Sequence, residues 1–233
     1  MTTPKWRFAL ERAMEANARE RSGRFAQIAT VARDGAPACR TIVIRGFRDA
    51  FARARNDAEN DDDDDFDANA NTSSRAHFGG AARDDLVFTC DRRSAKCEEI
   101  ARDDRAELAW YFAETREQFR VRGRLTTTTT ETTETETTTG EEREMRVAVW
   151  RTMSAKAREQ FTWANPGEVR VDDGASTTER REASASDESD DAGENFAMVS
   201  LRAERVDHLA LRTNEREVHE IVHGVWVTTR VNP

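Results

Sequence analysis

The 233-residue chain is 37% hydrophobic and 35% charged, which suits one domain with a sizeable core and is poor for two. Its formal net charge of -9, with no Lys/Arg block clear of balancing acids, disfavours a nucleic-acid partner. No apolar run approaches the roughly 20 residues of a membrane span, and Cys39, Cys90 and Cys97 form neither a CxxC pair nor an even secreted-type framework, so a reduced, soluble, cytoplasmic setting is expected.

Trp6, Leu10, Ala13 and Met14 fall at helical spacing with Glu11 and Glu15 between them, which predicts an opening helix rather than a signal or transit peptide. Two apolar runs follow, residues 25–32 and 38–47, joined as a hairpin by the turn signal Asp34-Gly35-Ala36-Pro37. In the second run a period of two puts Arg40, Ile42 and Ile44 on one strand face and Thr41, Val43 and Arg45 on the other. Residues 53–85 change character. The aspartate run 61–65 lacks the alternation and glycine turn of a calcium loop and reads as a solvated surface insertion.

A strand over 86–90 leads into CDRRSAK and a helix near 94–102. Ser94 is the expected N-cap, with Arg93 and Lys96 beside the helix N-terminus, an arrangement suited to a phosphate. Strands are next expected at 106–112 and 118–125. In the latter Gln118, Arg120, Arg122 and Arg124 alternate with Phe119, Val121 and Leu125, leaving one polar face on which Gln118 can bond a heterocycle edge or simply face water. Residues 126–144 and 171–194 are further low-complexity insertions, and the Thr-rich part to 139, with nothing apolar to bury, reads as an exposed hairpin tip.

Residues 145–161 carry Val149, Met153 and Phe161 on one helical face, and strands are expected at 196–201, 206–211 and 225–231. His77, His208, His219 and His223 are scattered, which predicts no metal site, and no glycine-rich nucleotide motif occurs. Strands outnumber helices, so the expected class is mainly β with peripheral helices (α+β), arranged as one antiparallel barrel over 1–233. Taken singly, each cationic cluster is weak evidence, because surface Arg and Lys in weak ion pairs are the commoner arrangement.

Jointly, RTIVIRG, CDRRSAK, REQFRVRG and the ending W-x-x-x-x-V-N-P resemble the pyridoxamine 5'-phosphate oxidase-like FMN-binding family, in its oxidase-related branch. The resemblance extends through PKWRFALERA, WRTMSAKAREQFTWANPG and VDHLALRTNER. It implies a split β-barrel that binds FMN and passes a hydride from pyridoxamine or pyridoxine 5'-phosphate to the flavin, with reoxidation by oxygen. It also implies a homodimer with FMN in a groove between subunits. Cofactor contacts map by resemblance to Arg40, Thr41, Val43, Arg45, Cys90, Ser94, Lys96, Gln118 and Arg216, and substrate contacts to Arg45, Arg212 and Asn214.

The sequence departs from that pattern in places. Arg45 replaces a lysine, Cys90 a strand threonine, Ala95 a phosphate arginine, Leu209 a tryptophan and Asn214 the histidine of an R-x-H element. The family's vitamin-phosphate Tyr, Arg and Ser fall near Val149, Met153 and Ala157, which hold no phosphate. Three readings follow: an FMN oxidoreductase, a flavin-binding protein without vitamin oxidase activity, and a scaffold whose acidic insertions recruit a basic partner.

Overall fold

A computed structural model describes residues 3–52, 84–130, 139–169 and 192–233. The insertion expected at 53–85 lies outside these residues except at its end, as does most of 171–194. Eight antiparallel strands form one sheet: β1 (Phe25–Val31), β2 (Pro37–Phe47), β3 (Leu86–Asp91), β4 (Arg105–Phe112), β5 (Glu117–Thr128), β6 (Phe196–Ala210), β7 (Glu215–Val222) and β8 (Val225–Val231). Their order is β3-β2-β1-β4-β5-β6-β7-β8, and an added β3–β6 pairing closes the first six into a barrel with β7 and β8 as a lateral ribbon.

Local chemistry sets the hairpin of β1 and β2. Gly35 sits at φ 84, a conformation that favours glycine, and Asp34 Oδ1 accepts from Ala36 N at 3.0 Å. The resulting register opposes Ile28 to Arg40 and Phe25 to Val43. Further on, β5 and β6 shift register between Arg122 and Gly123, where a Cβ would stand 1.8 Å from the Arg202 carbonyl oxygen. Only glycine admits that approach.

The barrel interior is filled by one face of each strand and capped by α1 (Lys5–Ala16), whose Trp6, Leu10 and Ala13 are buried. Trp6 packs edge-on against Trp226, 5.6 Å between centroids. Arg7 on the same helix is buried, with its guanidinium bonded to Asp49 and Asp84 at 2.7 Å and 4.3 Å over the Phe47 ring. A second cluster joins α3 (Gly140–Arg151) to Met153, Phe161, Phe196 and Met198. Arg146, also buried, crosses this cluster to the carbonyls of Ala192 and Phe196.

Three expectations need correction. Thr126, Thr127 and Thr128 are not an exposed hairpin tip: they extend β5 and pair with Ser200, Val199 and Met198 of β6, while Thr139 starts α3 through a capping box with Glu142. Thr126 is exposed, Thr127 half-buried and Thr128 buried, and the ladder with β6 rather than apolar side chains of their own fixes all three. Second, 196–201 and 206–211 are one strand, β6. Its central Arg202–Arg205 stretch carries three polar residues, with Ala203 buried between exposed Arg202 and Glu204, and the register shift opposite Arg122 and Gly123 accommodates the two consecutive polar residues Glu204 and Arg205. The helix expected over 145–161 is broken at 152–154, where Ser154 Oγ accepts from Ala157 N to begin the short α4 (Ala155–Glu159).

Candidate functional site

The outward face of β2, the end of β3 and the start of α2 (Ala95–Arg102) enclose a groove of about 390 Å³. Thr41, Val43 and Arg45 line one wall and Cys90, Ser94 and Lys96 another. The third wall is the segment 160–166. Phe161 holds that segment to the second core by edge contacts with Phe196, while Asn195 Nδ2 donates to the Phe161 carbonyl at 2.9 Å. Arg93 Nη2 donates to the Trp163 carbonyl at 3.0 Å. Six of the expected site residues therefore converge here.

Arg45 is placed by a backbone irregularity. The β2–β3 register shifts between Ile44 and Gly46, with Gly46 at φ 149, so Arg45 sits at a bulge and leaves the regular ladder. Its Nε is buried and has no hydrogen-bond partner among the described residues. Burial, and then the nearby Arg24, lower the guanidinium below its ordinary value. A half-buried cation whose Nε is sealed from water, with no carboxylate partner among the described residues, is costly unless an anion completes it.

Lys96 Nζ donates to Ser94 Oγ at 3.2 Å, and Ser94 Oγ donates to the Asp91 carbonyl at 2.6 Å. Ser94 is thus the N-cap residue expected, but its hydroxyl makes no cap bond. The groove's carboxylate, Asp91, is bound by Arg93 Nε and Nη2 at 2.9 and 2.6 Å. That pairing commits Arg93 elsewhere and leaves Arg45 and Lys96 facing a groove whose acid is neutralised. The donors present fit a dianionic phosphate.

Arg40 is placed differently. Strand alternation turns it to the other face of β2, where Nη2 donates to Glu99 Oε2 at 2.7 Å and Nη1 to the Ala38 carbonyl at 2.9 Å. It is not among the groove-lining residues. Gln118 and Arg216 are also elsewhere, on one face of β5 and β7 with Leu209 of β6 between them in register. Arg216 Nε and Nη2 bind Asp207 at 2.9 and 2.8 Å, Arg120 binds the same carboxylate at 2.6 Å, and these contacts hold Asp207 at about 2, Arg216 contributing most. Arg212, in the β6–β7 turn where Asn214 takes φ 56, donates to the Glu114 carbonyl in the β4–β5 turn.

Sequence reasoning missed a second, larger cavity of about 820 Å³ between α1 and the β6–β7 turn. Its floor is a buried pair, His208 Nε2 to Glu117 Oε1 at 3.0 Å, with the imidazole stacked on Phe119. Arg212 lines this cavity, not the β2–β3 groove. No sequence spacing pointed to it, because His208 and Glu117 meet only through the β5–β6 pairing.

The family described as pyridoxamine 5'-phosphate oxidase, FMN-binding domain, matches residues 3–129, just over half of the chain. The chain belongs to that family. FMN is the family's cofactor, and the match contains β2, β3 and α2, which form most of the groove. The chain is similar to a pyridoxamine 5'-phosphate oxidase-related, FMN-binding protein of Nostoc punctiforme PCC 73102, at 30% identity over all of both chains and a TM-score of 0.72. It is 25% identical to pyridoxine/pyridoxamine 5'-phosphate oxidase 2 of Arabidopsis thaliana, over 98% of this chain and 96% of that one. PhzG of Burkholderia lata 383, in complex with tetrahydrophenazine-1-carboxylic acid, shares the fold at 17% identity and a TM-score of 0.68, with 99% and 94% coverage. Among the described residues, no helix is long and apolar enough to cross a membrane.

Proposed function

We propose that this FMN-binding family member is an FMN-dependent oxidoreductase and that the β2–β3–α2 groove receives the phosphate end of the cofactor. The observation carrying this is the buried, unpartnered Arg45 Nε beside Lys96 in a groove whose acid is already paired. Arg45 and Lys96 would hold the phosphate, with Ser94 and Thr41 as hydroxyl partners and Val43 and Cys90 as its walls. Arg40 remains with Glu99. When bound, FMN supplies a two-electron hydride acceptor that oxygen can reoxidise.

Gln118 and Arg216 lie on a different part of the sheet from the groove in the same chain. They reach a flavin seated there most simply from a second copy, which supports the homodimer implied by family resemblance. The exposed Val225 and Val227 of β8, and Trp163 at the groove wall, are apolar surface suited to such a contact. On this reading Gln118 and Arg216 orient the ring, while Arg45 serves the phosphate end.

For the substrate, pyridoxamine or pyridoxine 5'-phosphate is the first candidate, with Arg212 and Asn214 of a second copy as its polar partners, since Arg212 lies outside the groove that holds Arg45. A second reading, an FMN protein acting on another substrate, is favoured by a specific feature: Val149 and Met153, at the family's vitamin-phosphate positions, are buried in the second core. Absorption after FMN loading and desalting tests the cofactor site. Bleaching and oxygen uptake on adding pyridoxine 5'-phosphate separate the two readings. Retained flavin with bleaching supports the first, retained flavin without it supports the second, and failure to retain flavin contradicts the groove assignment.

A further inference from the structure

Cys90 at the end of β3 and Cys97 in the first turn of α2 bring their sulfurs to 3.2 Å, although they stand seven positions apart in sequence. Both are free thiols. A disulfide bond is about 2.05 Å long, so closure asks the sulfurs to approach by about 1.2 Å. The two positions are not equivalent. Cys90 is buried against the core while also lining the groove, whereas Cys97 is half-buried.

We propose that Cys90 and Cys97 are a peroxide-reactive dithiol, a modification site that closes to an intramolecular disulfide at the edge of the groove. Cys97 is the attacking sulfur. It stands at the third position of α2, where the helix N-terminus favours an anion. Ser94 Oγ lies 3.9 Å from its sulfur. The contact with Cys90, against the opposing effect of burial and helped by Ser94 and the charge of Lys96, draws the Cys97 thiol below its ordinary value, while the same contact and burial push Cys90 well above. The two thiols are thus shifted in opposite directions, and Cys97, in the first turn of α2, is the more readily ionised.

The chemistry balances with a hydroperoxide as the oxidant. The Cys97 thiolate attacks the outer peroxide oxygen, an S–O bond forms, the O–O bond breaks, and the departing alkoxide or hydroxide takes up a proton. Cys97 is then a sulfenic acid. The Cys90 sulfur attacks Cys97, the S–S bond forms, and hydroxide leaves with the Cys90 proton as water. Two thiols lose two electrons to the peroxide, which becomes an alcohol or water together with a second water. Nothing in this step requires flavin, so it stands or falls apart from the proposed cofactor reading.

The test uses the full chain in a Cys39→Ser background, which removes the exposed third thiol. Hydrogen peroxide is added in small excess, and thiol titration, intact mass and peptide mapping are read. Expected are the loss of both thiols, a mass decrease of two hydrogen atoms, a Cys90–Cys97 linked peptide, and reversal by dithiothreitol. In Cys90→Ser the mass should instead rise by oxygen at Cys97. In Cys97→Ser the remaining Cys90 should react on the order of tenfold more slowly, with circular dichroism establishing that both variants are folded. Unchanged thiols under the same peroxide, or oxygen addition without a cross-link in the chain carrying both cysteines, would overturn the proposal.

Discussion

Two sets of cations on this molecule look alike in sequence and differ in what surrounds them. On β5 and β7, Arg120 and Arg216 converge on Asp207, which is buried and held at about 2. In the groove, Arg45 has a buried nitrogen with no partner, and Lys96 contacts only a hydroxyl among the bonds described. A cation already matched by a carboxylate contributes to stability; a cation left unmatched near a cavity is held for a ligand. Removing the first kind should cost folding free energy, and removing the second should cost ligand affinity.

The largest expected effect follows from removing the unmatched pair. Arg45→Ala with Lys96→Ala deletes two charge-assisted contacts, worth roughly 1.5–3 kcal/mol each, so FMN affinity should fall by about 10²- to 10⁴-fold. Stability of the FMN-free protein should stay within about 1 kcal/mol in urea unfolding. A large loss of stability in the FMN-free variant would erase the contrast between the two regions.

Next in size is a buried imidazole in the ribbon. His219 is 1% exposed, bonded through Nδ1 to Thr228 Oγ1 at 2.9 Å, with Nε2 3.9 Å from Glu217 Oε2 and without a hydrogen bond among the described residues. Burial lowers it to about 4, against the opposing pull of Glu217. The unfolded chain binds this proton first, near pH 6.5, while the folded chain resists it until about pH 4. Stability should therefore be full above pH 6.5 and fall by up to about 3 kcal/mol as pH drops towards 4. His219→Gln should flatten that limb in pH-dependent denaturant melts, and an unchanged limb would contradict the assignment.

Asp207→Asn sharpens the matched side of the comparison. The folded pKa is depressed from 3.8 to about 2, so the native carboxylate stabilises above pH 3.8 and loses that contribution as pH falls towards 2. The variant should be about 1–2 kcal/mol less stable at neutral pH. It should also lose the acid sensitivity of that window. The smallest effect is expected from Arg40→Met. With Arg40 committed to Glu99 on the other face of β2, FMN affinity should change by less than about threefold. A drop as large as that of the Arg45 and Lys96 pair would place Arg40 in the phosphate cradle after all.

Much of the fold was legible because its determinants are local. The spacing of Trp6, Leu10 and Ala13 marked α1, the Asp34-Gly35 turn marked the first hairpin, and the period of two correctly parted Arg40 from Arg45. What stayed hidden depends on contacts between distant segments. Thr126–Thr128 read as an exposed tip rather than as strand because nothing in their own sequence reveals β6 as a partner. The bulge that aims Arg45 arises from the β2–β3 register, and Asp207 captures Arg216 through adjacent strands. Cys90 and Cys97 meet only because the turn at Asp91–Ser94 folds α2 back on β3, where Ser94 N donates to the Asp91 carbonyl.

The most direct measurement compares FMN with riboflavin, which lacks only the phosphate, by fluorescence titration of the wild type and the Arg45→Ala, Lys96→Ala variant. If these two residues hold the phosphate, the wild type should prefer FMN by about 10²-fold or more, and the variant should bind both flavins with nearly equal, weak affinity. An undiminished preference for FMN in the variant would show that the phosphate is held elsewhere and would contradict the groove assignment.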